Sequence, residues 1–116
     1  MTTTPKVRVI FIPVDERPRV VEIPGGQAQL RAMQELVGGY IERAPFGEVF
    51  GQGLDLWCNE DGHALGLPIN GTVSVGVDTF IVGNAFLARH DREGDLASVT
   101  DEDIQCFNAK YFCGVL

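Results

Sequence analysis

Basic residues, cysteines and long apolar runs are all scarce in this chain. Nine lysines and arginines stand against sixteen aspartates and glutamates, a formal net charge of -7 over 116 residues. The averaged field therefore repels a phosphate backbone, which excludes direct nucleic-acid binding from the expected functions. The longest apolar run, Val7 to Val14, is broken by Arg8 and Pro13. It falls far short of the roughly 20 apolar residues that span a bilayer, so no membrane partner is expected. The start, Met-Thr-Thr-Thr-Pro-Lys, lacks a leader-like charged segment with an apolar core and cleavage site, and a cytoplasmic location is expected.

The three cysteines, Cys58, Cys106 and Cys113, form an odd set without a Cys-x-x-Cys pair. A disulfide framework is excluded, and reduced thiols packed in the core are expected. Four residues between Cys58 and His63 and six between Cys106 and Cys113 match no zinc module. Ser74 and Ser98 lie outside any Gly-x-Ser-x-Gly elbow, and Gly25-Gly26 has no phosphate-loop pattern around it. No catalytic residue, metal or cofactor is assigned.

What is present is a run of short elements with strong punctuation. Val7, Val9 and Phe11 alternate with Arg8, Ile10 and Ile12, a central strand apolar on both faces. Asp15-Glu16-Arg17-Pro18 turns the chain into a second β-branched run, Arg19 to Ile23, which makes a hairpin. Gln27 to Val37 carries Leu30, Met33 and Val37 on one helical stripe and meets a stop at Gly38-Gly39. Tyr40 to Phe46 returns to extended character, Gly47 to Gly53 reads as a loop, and Leu54 to Asn59 alternates as a strand. Asp61-Gly62 signals a type I′ hairpin turn with His63 to Leu67 as the returning strand. Two further extended runs, Thr72 to Val77 and Thr79 to Arg89, precede a charged loop or hairpin tip at His90 to Asp95. Gly83 within the second run marks a bulge or a close backbone approach. Thr100 and Asp103 form a capping arrangement for a helix over Asp101 to Phe112, with Ile104, Phe107 and Tyr111 on its apolar face.

Hairpin signals outnumber helix-sized crossovers, so the pattern predicts one α+β domain over residues 1–116. A mainly antiparallel sheet of five or more strands would carry two helices on one face.

The densest polar group comprises Asn59, Glu60, Asp61, His63 and Asn70, beside the strand that carries Trp57. With Glu42 and Arg43 on the preceding extended segment, the candidate ligand-binding residues are Trp57, Asn59, Glu60, Asn70, Glu42 and Arg43. They could line a shallow cleft for a small polar or anionic ligand, while Asp61-Gly62 and Asn70-Gly71 equally suit plain turns. Tyr40, Phe46, Phe50 and Trp57 fall near one another and could stack on a ligand, form a dimer contact or pack in the core. Arg8, Arg17, Arg19, Arg31 and Arg43 concentrate basic charge in the N-terminal half, whereas acids crowd the C-terminal part.

Gly38-Gly39-Tyr40-Ile41-Glu42, Asn59-Glu60-Asp61-Gly62, Gly66-Leu67-Pro68-Ile69-Asn70 and Ile81-Val82-Gly83-Asn84-Ala85 occur here in a familiar order. Together they resemble a family of small uncharacterised domains found in phages, plasmids and actinobacterial genomes. The likeness covers roughly residues 7 to 90, with Thr100-Asp101-Glu102-Asp103 resembling that family's start-of-helix signal. The family has no established reaction. The resemblance implies a non-enzymatic accessory protein that binds a host factor, such as a host protein, or sequesters a small anionic metabolite, with counter-defence as a specific form; the aromatic cluster leaves a homodimer open as its assembly. The alternatives are an acidic module that blocks a DNA-handling host protein, and a small enzyme using Glu42 or Glu60.

Overall fold

The computed structural model describes residues 6–45, 47–74 and 80–111. Its strands are β1 (Lys6–Ile12), β2 (Arg19–Pro24), β3 (Ile41–Arg43), β4 (Leu54–Asn59), β5 (Ala85–His90) and β6 (Leu96–Ala97). The helices are α1 (Gln29–Val37) and α2 (Asp101–Tyr111), and short 3-10 turns span Gly26–Ala28 and Gly47–Phe50. The strands form a six-stranded antiparallel sheet in the order β2-β1-β5-β4-β3, with β6 beside β5. The expected α+β class with two helices is therefore observed.

β1 and β5 lie at the centre although more than seventy residues separate them in the chain. They pair only over Ile10↔Leu87 to Ile12↔Ala85. Beyond that point the segment around β6 fills the space between them. β6 pairs with Arg89 and His90, and the next residues reach across to Arg8, which receives Val99 N–H on its carbonyl and gives its own N–H to Ser98 Oγ.

The helices cover opposite faces of the sheet, not one face as expected. Val7, Val9 and Phe11 of β1 and Phe86 and Ala88 of β5 pack with Met33 and Val37 of α1. Ile10, Ile12, Leu54, Leu56 and Leu87 face the other way, toward Phe107 and Ile104 of α2 and toward Phe50, Val73 and Ile81. Both sides of β1 and β5 are apolar, so each face needs a cover, and one helix would leave the other face wet. A fully buried Leu, Ile or Phe contributes about 1.5–3 kcal/mol.

Local chemistry explains most boundaries. Gly38 adopts φ 77° at the end of α1, and Gly38 and Gly39 both donate to the Gln34 carbonyl. Leu30, expected on the buried stripe, is exposed in the first turn of α1, where Ala32 and Leu36 join Met33 and Val37 in the contact instead. The predicted hairpin at Asp61-Gly62 does not form. β3 and β5 already occupy both edges of β4, leaving no place for a returning strand. Neither Asp61 nor Gly62 has the positive φ that a type I′ turn requires. The chain coils instead, with Leu65 N–H on the Asp61 carbonyl and Leu67 N–H on the Gly62 carbonyl, before Gly66 turns at φ 68°.

Of the run predicted from Thr72 to Val77, residues 75–77 lie outside the described residues, and Thr72 and Val73 belong to a turn. The run predicted from Thr79 starts outside the described residues, and of its described part only Ala85 onward is strand, as β5. Before it, Ile69 and Val82 form an isolated bridge. Gly83 marks a close approach, since a Cβ there would lie 2.7 Å from Leu67 Cδ1.

Candidate functional site

Asn59 and Asn70 are the most deeply placed of the candidate ligand residues, and each spends its amide on distant backbone. Asn59 closes β4, donating from Nδ2 to the Val37 carbonyl at 3.1 Å and accepting Asp61 N–H on Oδ1 at 2.8 Å. One buried side chain thus ties the end of α1 to the start of the 60–67 coil. A Cβ on Gly39 would lie 2.8 Å from that Nδ2, which is why the diglycine and the asparagine belong together. Asn70 is also buried and donates to the Ile12 carbonyl at 2.9 Å and the Gly83 carbonyl at 3.1 Å. A buried amide so satisfied is a structural pin whose removal strands the groups it serves.

The other four candidates are spread over both faces. Trp57 is half-buried under the α1 side, stacked on Phe86 with ring centroids 6.3 Å apart, and its buried indole N–H has no hydrogen-bond partner among the described residues. Glu42 and Arg43 are exposed on β3, opposite Cys58 and Trp57, and Glu60 is exposed just beyond β4. Glu42 and Glu60 border a small cavity of about 120 Å³ with Cys58, His63 and Phe80. Burial, reinforced by the Glu42 carboxylate, pushes the Cys58 thiol up to about 11, which makes it a poor nucleophile at neutral pH. The aromatic residues do not converge either. Phe50 lies in the α2-side core, Trp57 on the α1 side, Tyr40 is exposed, and Phe46 falls outside the described residues.

Two clefts adjoin around Asn59 instead. The larger, about 600 Å³, runs between the end of α1 and the 65–68 segment and is lined by Val14, Asp15, Val37, Gly38, Leu65, Leu67, Pro68, Gly83 and Asn84. The second, about 410 Å³, shares Asn59 and Leu65 with it and adds Gln34, Gly39, Tyr40 and Asp61. Tyr40 and Leu65 stand on its rim at 67% and 63% exposure. The two clefts draw on all four sequence segments that carry the family resemblance. Sequence reasoning found Asn59 but missed Leu65 and Tyr40 as a pair, because the expected hairpin would have placed them apart.

A third opening of about 680 Å³ lies between residues 48–53 and α2, lined by Arg89, Glu102, Asp103, Cys106 and Lys110 among others. Its electrostatics are internally settled. Arg89 grips both Asp103 oxygens from Nε and Nη2, and Asp103 also accepts Thr100 N–H at 2.8 Å. Burial alone would raise the Asp103 pKa, but the hydrogen bonds from Arg89 and Thr100 outweigh it and hold the carboxyl below its ordinary value. The same hydrogen bond raises the Arg89 guanidinium above its own. Other cations are committed too: Arg8 to Asp101, Arg19 to Glu16, and Lys6 to Glu22. His90 Nδ1 lies 2.8 Å from Asp55 Oδ2 on the neighbouring strand, a pair that no sequence spacing signals.

The family model for a domain of unknown function, DUF3846, matches residues 7–112. The chain belongs to that family. No curated protein matches it. A crystal structure of the small RNA methyltransferase HEN1 superposes with a TM-score of 0.65 and 17% identity, covering 92% of this chain and 16% of that one. At that identity the DUF3846 chain shares a fold with part of HEN1 and nothing more. No helix among its described residues is long and apolar enough to cross a membrane.

Proposed function

We propose that this DUF3846 protein is a non-enzymatic binding protein that engages another protein through the joined clefts around Asn59. The observation that supports it is the pair of exposed apolar side chains, Tyr40 and Leu65, on the rim of one cleft that adjoins a second lined by Val37, Leu65 and Leu67. Aromatic and aliphatic groups left in water beside a preformed concavity are the usual make-up of an interaction site. A protein partner fits better than a small anion, because Asp15 and Asp61 are the charged residues lining these clefts and Arg8, Arg19 and Arg89 already hold carboxylates. An acidic mimic built on α2 is less favoured, since Asp101 and Asp103 are engaged by arginines of the same chain. The likeness of its motifs to domains of phages, plasmids and actinobacteria supports an accessory role in the host cytoplasm, with inhibition of a host factor as its form.

The test compares affinity capture from a bacterial lysate by the unmodified chain, by a Tyr40→Ala/Leu65→Asp variant, and by a Val49→Asp control on the far opening. A partner lost only in the first variant is the expected result. An identical set of captured proteins in all three would sink the proposal.

A further inference from the structure

The outer side of β2 is a second feature left open among the described residues. Among the described residues β2 pairs only with β1, over six residues in unbroken register from Lys6↔Pro24 to Phe11↔Arg19. The direction of its backbone groups follows from its neighbour. Arg8 sends its N–H to Ser98 and takes Val99 N–H on its carbonyl, so both groups point away from β2. Successive residues of a strand alternate in this respect, so Val7, Val9 and Phe11 direct theirs toward Ile23, Val21 and Arg19. On β2, Val20, Glu22 and Pro24 therefore point outward. Val20 and Glu22 each present an N–H and a carbonyl, and Pro24 a carbonyl alone.

We propose that this edge pairs with β2 of a second copy of the chain, antiparallel, about a two-fold axis through Val21. The edge is self-complementary in that register and in no neighbouring one. An axis at Val20 sets Glu22 against Pro18, which has no N–H and lies outside the strand. An axis at Glu22 sets that carboxylate opposite its own copy, where like charges repel. With the axis at Val21, Val20 faces the second copy's Glu22, and each such pair exchanges both N–H···O=C bonds. Val21 then meets its counterpart in the closely spaced non-hydrogen-bonded position, where β-branched pairs pack well. Val21 already packs against the apolar layer under α1, so that layer continues across the axis. Lys6, 4.0 Å from Glu22, and Glu16, 3.1 Å from Arg19, offset the two charges that β2 brings to the new seam. No bulge interrupts the edge, and the pairing is isologous, as a closed two-fold dimer requires.

Native mass spectrometry and light scattering of the full chain, from micromolar to about 1 mM, read the outcome directly. A concentration-dependent dimer is expected, with Val20 and Glu22 amides protected from hydrogen exchange in it. Glu22→Pro removes an outward N–H, a change that an edge strand tolerates, together with the exposed carboxylate near Lys6, and should weaken the dimer roughly thirtyfold while leaving the circular dichroism spectrum intact. Should that variant fail to fold, Val20→Pro and the exchange of the unmodified chain decide. A monomer throughout the range, a dimer unmoved by both prolines, or free exchange at Val20 and Glu22 in the dimer would overturn the proposal.

Discussion

Cys58 shows how far one buried side chain departs from its free chemistry. Folding favours its neutral thiol, raised from 9.0 to about 11, whereas the unfolded chain ionises it near 9.0. Its contribution to stability is complete below pH 9 and is lost as pH rises through 11. Urea midpoints should accordingly fall over that interval, and Cys58→Ala should flatten the fall even though it lowers stability at neutral pH. Peptide-resolved alkylation at pH 8 gives a second reading: exposed Cys106 reacts quickly and Cys58 slowly. Core packing of Cys58 was legible in the sequence, as was the polar density at Asn59 and Asn70. Their partners were not. Polar residues near glycine announce turns at Asn59 and Asn70, but Val37, 22 residues from the first, and Ile12, 58 from the second, meet these amides only once the sheet has assembled.

Among the elements, α2 separates local from distant information. Thr100 and Asp103 announce the helix start, and the structure holds both reciprocal bonds, with Asp103 N–H on Thr100 Oγ1 at 3.1 Å. The guanidinium from β5 carries no such signal, because Arg89 is brought there by the strand order. Asp103 has a folded pKa below its ordinary 3.8, so its contribution is complete above that value and disappears as pH falls through the lower folded one. Asp103→Asn should cost roughly 1–3 kcal/mol at neutral pH and flatten the acid limb of the stability curve below pH 4, measured by chemical denaturation. An unchanged acid limb would show that the Arg89 pair contributes nothing. The Asp61-Gly62 hairpin failed for the complementary reason: its local signal was sound, yet both edges of β4 were taken.

For the whole molecule, alternation in the strands was enough to establish an antiparallel α+β sheet but not to distribute its covers. A strand apolar on both faces, such as β1, is silent about which helix takes which face. Double coverage predicts a gradient of protection. Amides of β1 and β5 should exchange slowest in native-state hydrogen exchange, and those of β3 and the 60–67 coil should exchange faster, because the latter have one neighbour or none across the sheet. Slowest exchange in β3 would contradict this layering.

The insertion of residues 96–99 between β1 and β5 has a consequence for how the polypeptide is made. β1 emerges from the ribosome early and can acquire β2 at once, but its inner side waits for β5, and its first residues wait longer still for Ser98 and Val99. At about 5–20 residues per second, several seconds of translation pass with Ile10 and Ile12 unshielded. Closing the centre last, across so long a stretch of sequence, also places this domain among the slower folders of its size. A cell that makes this chain must therefore keep a half-built hairpin from sticking to its neighbours before β5 and the 96–99 segment arrive.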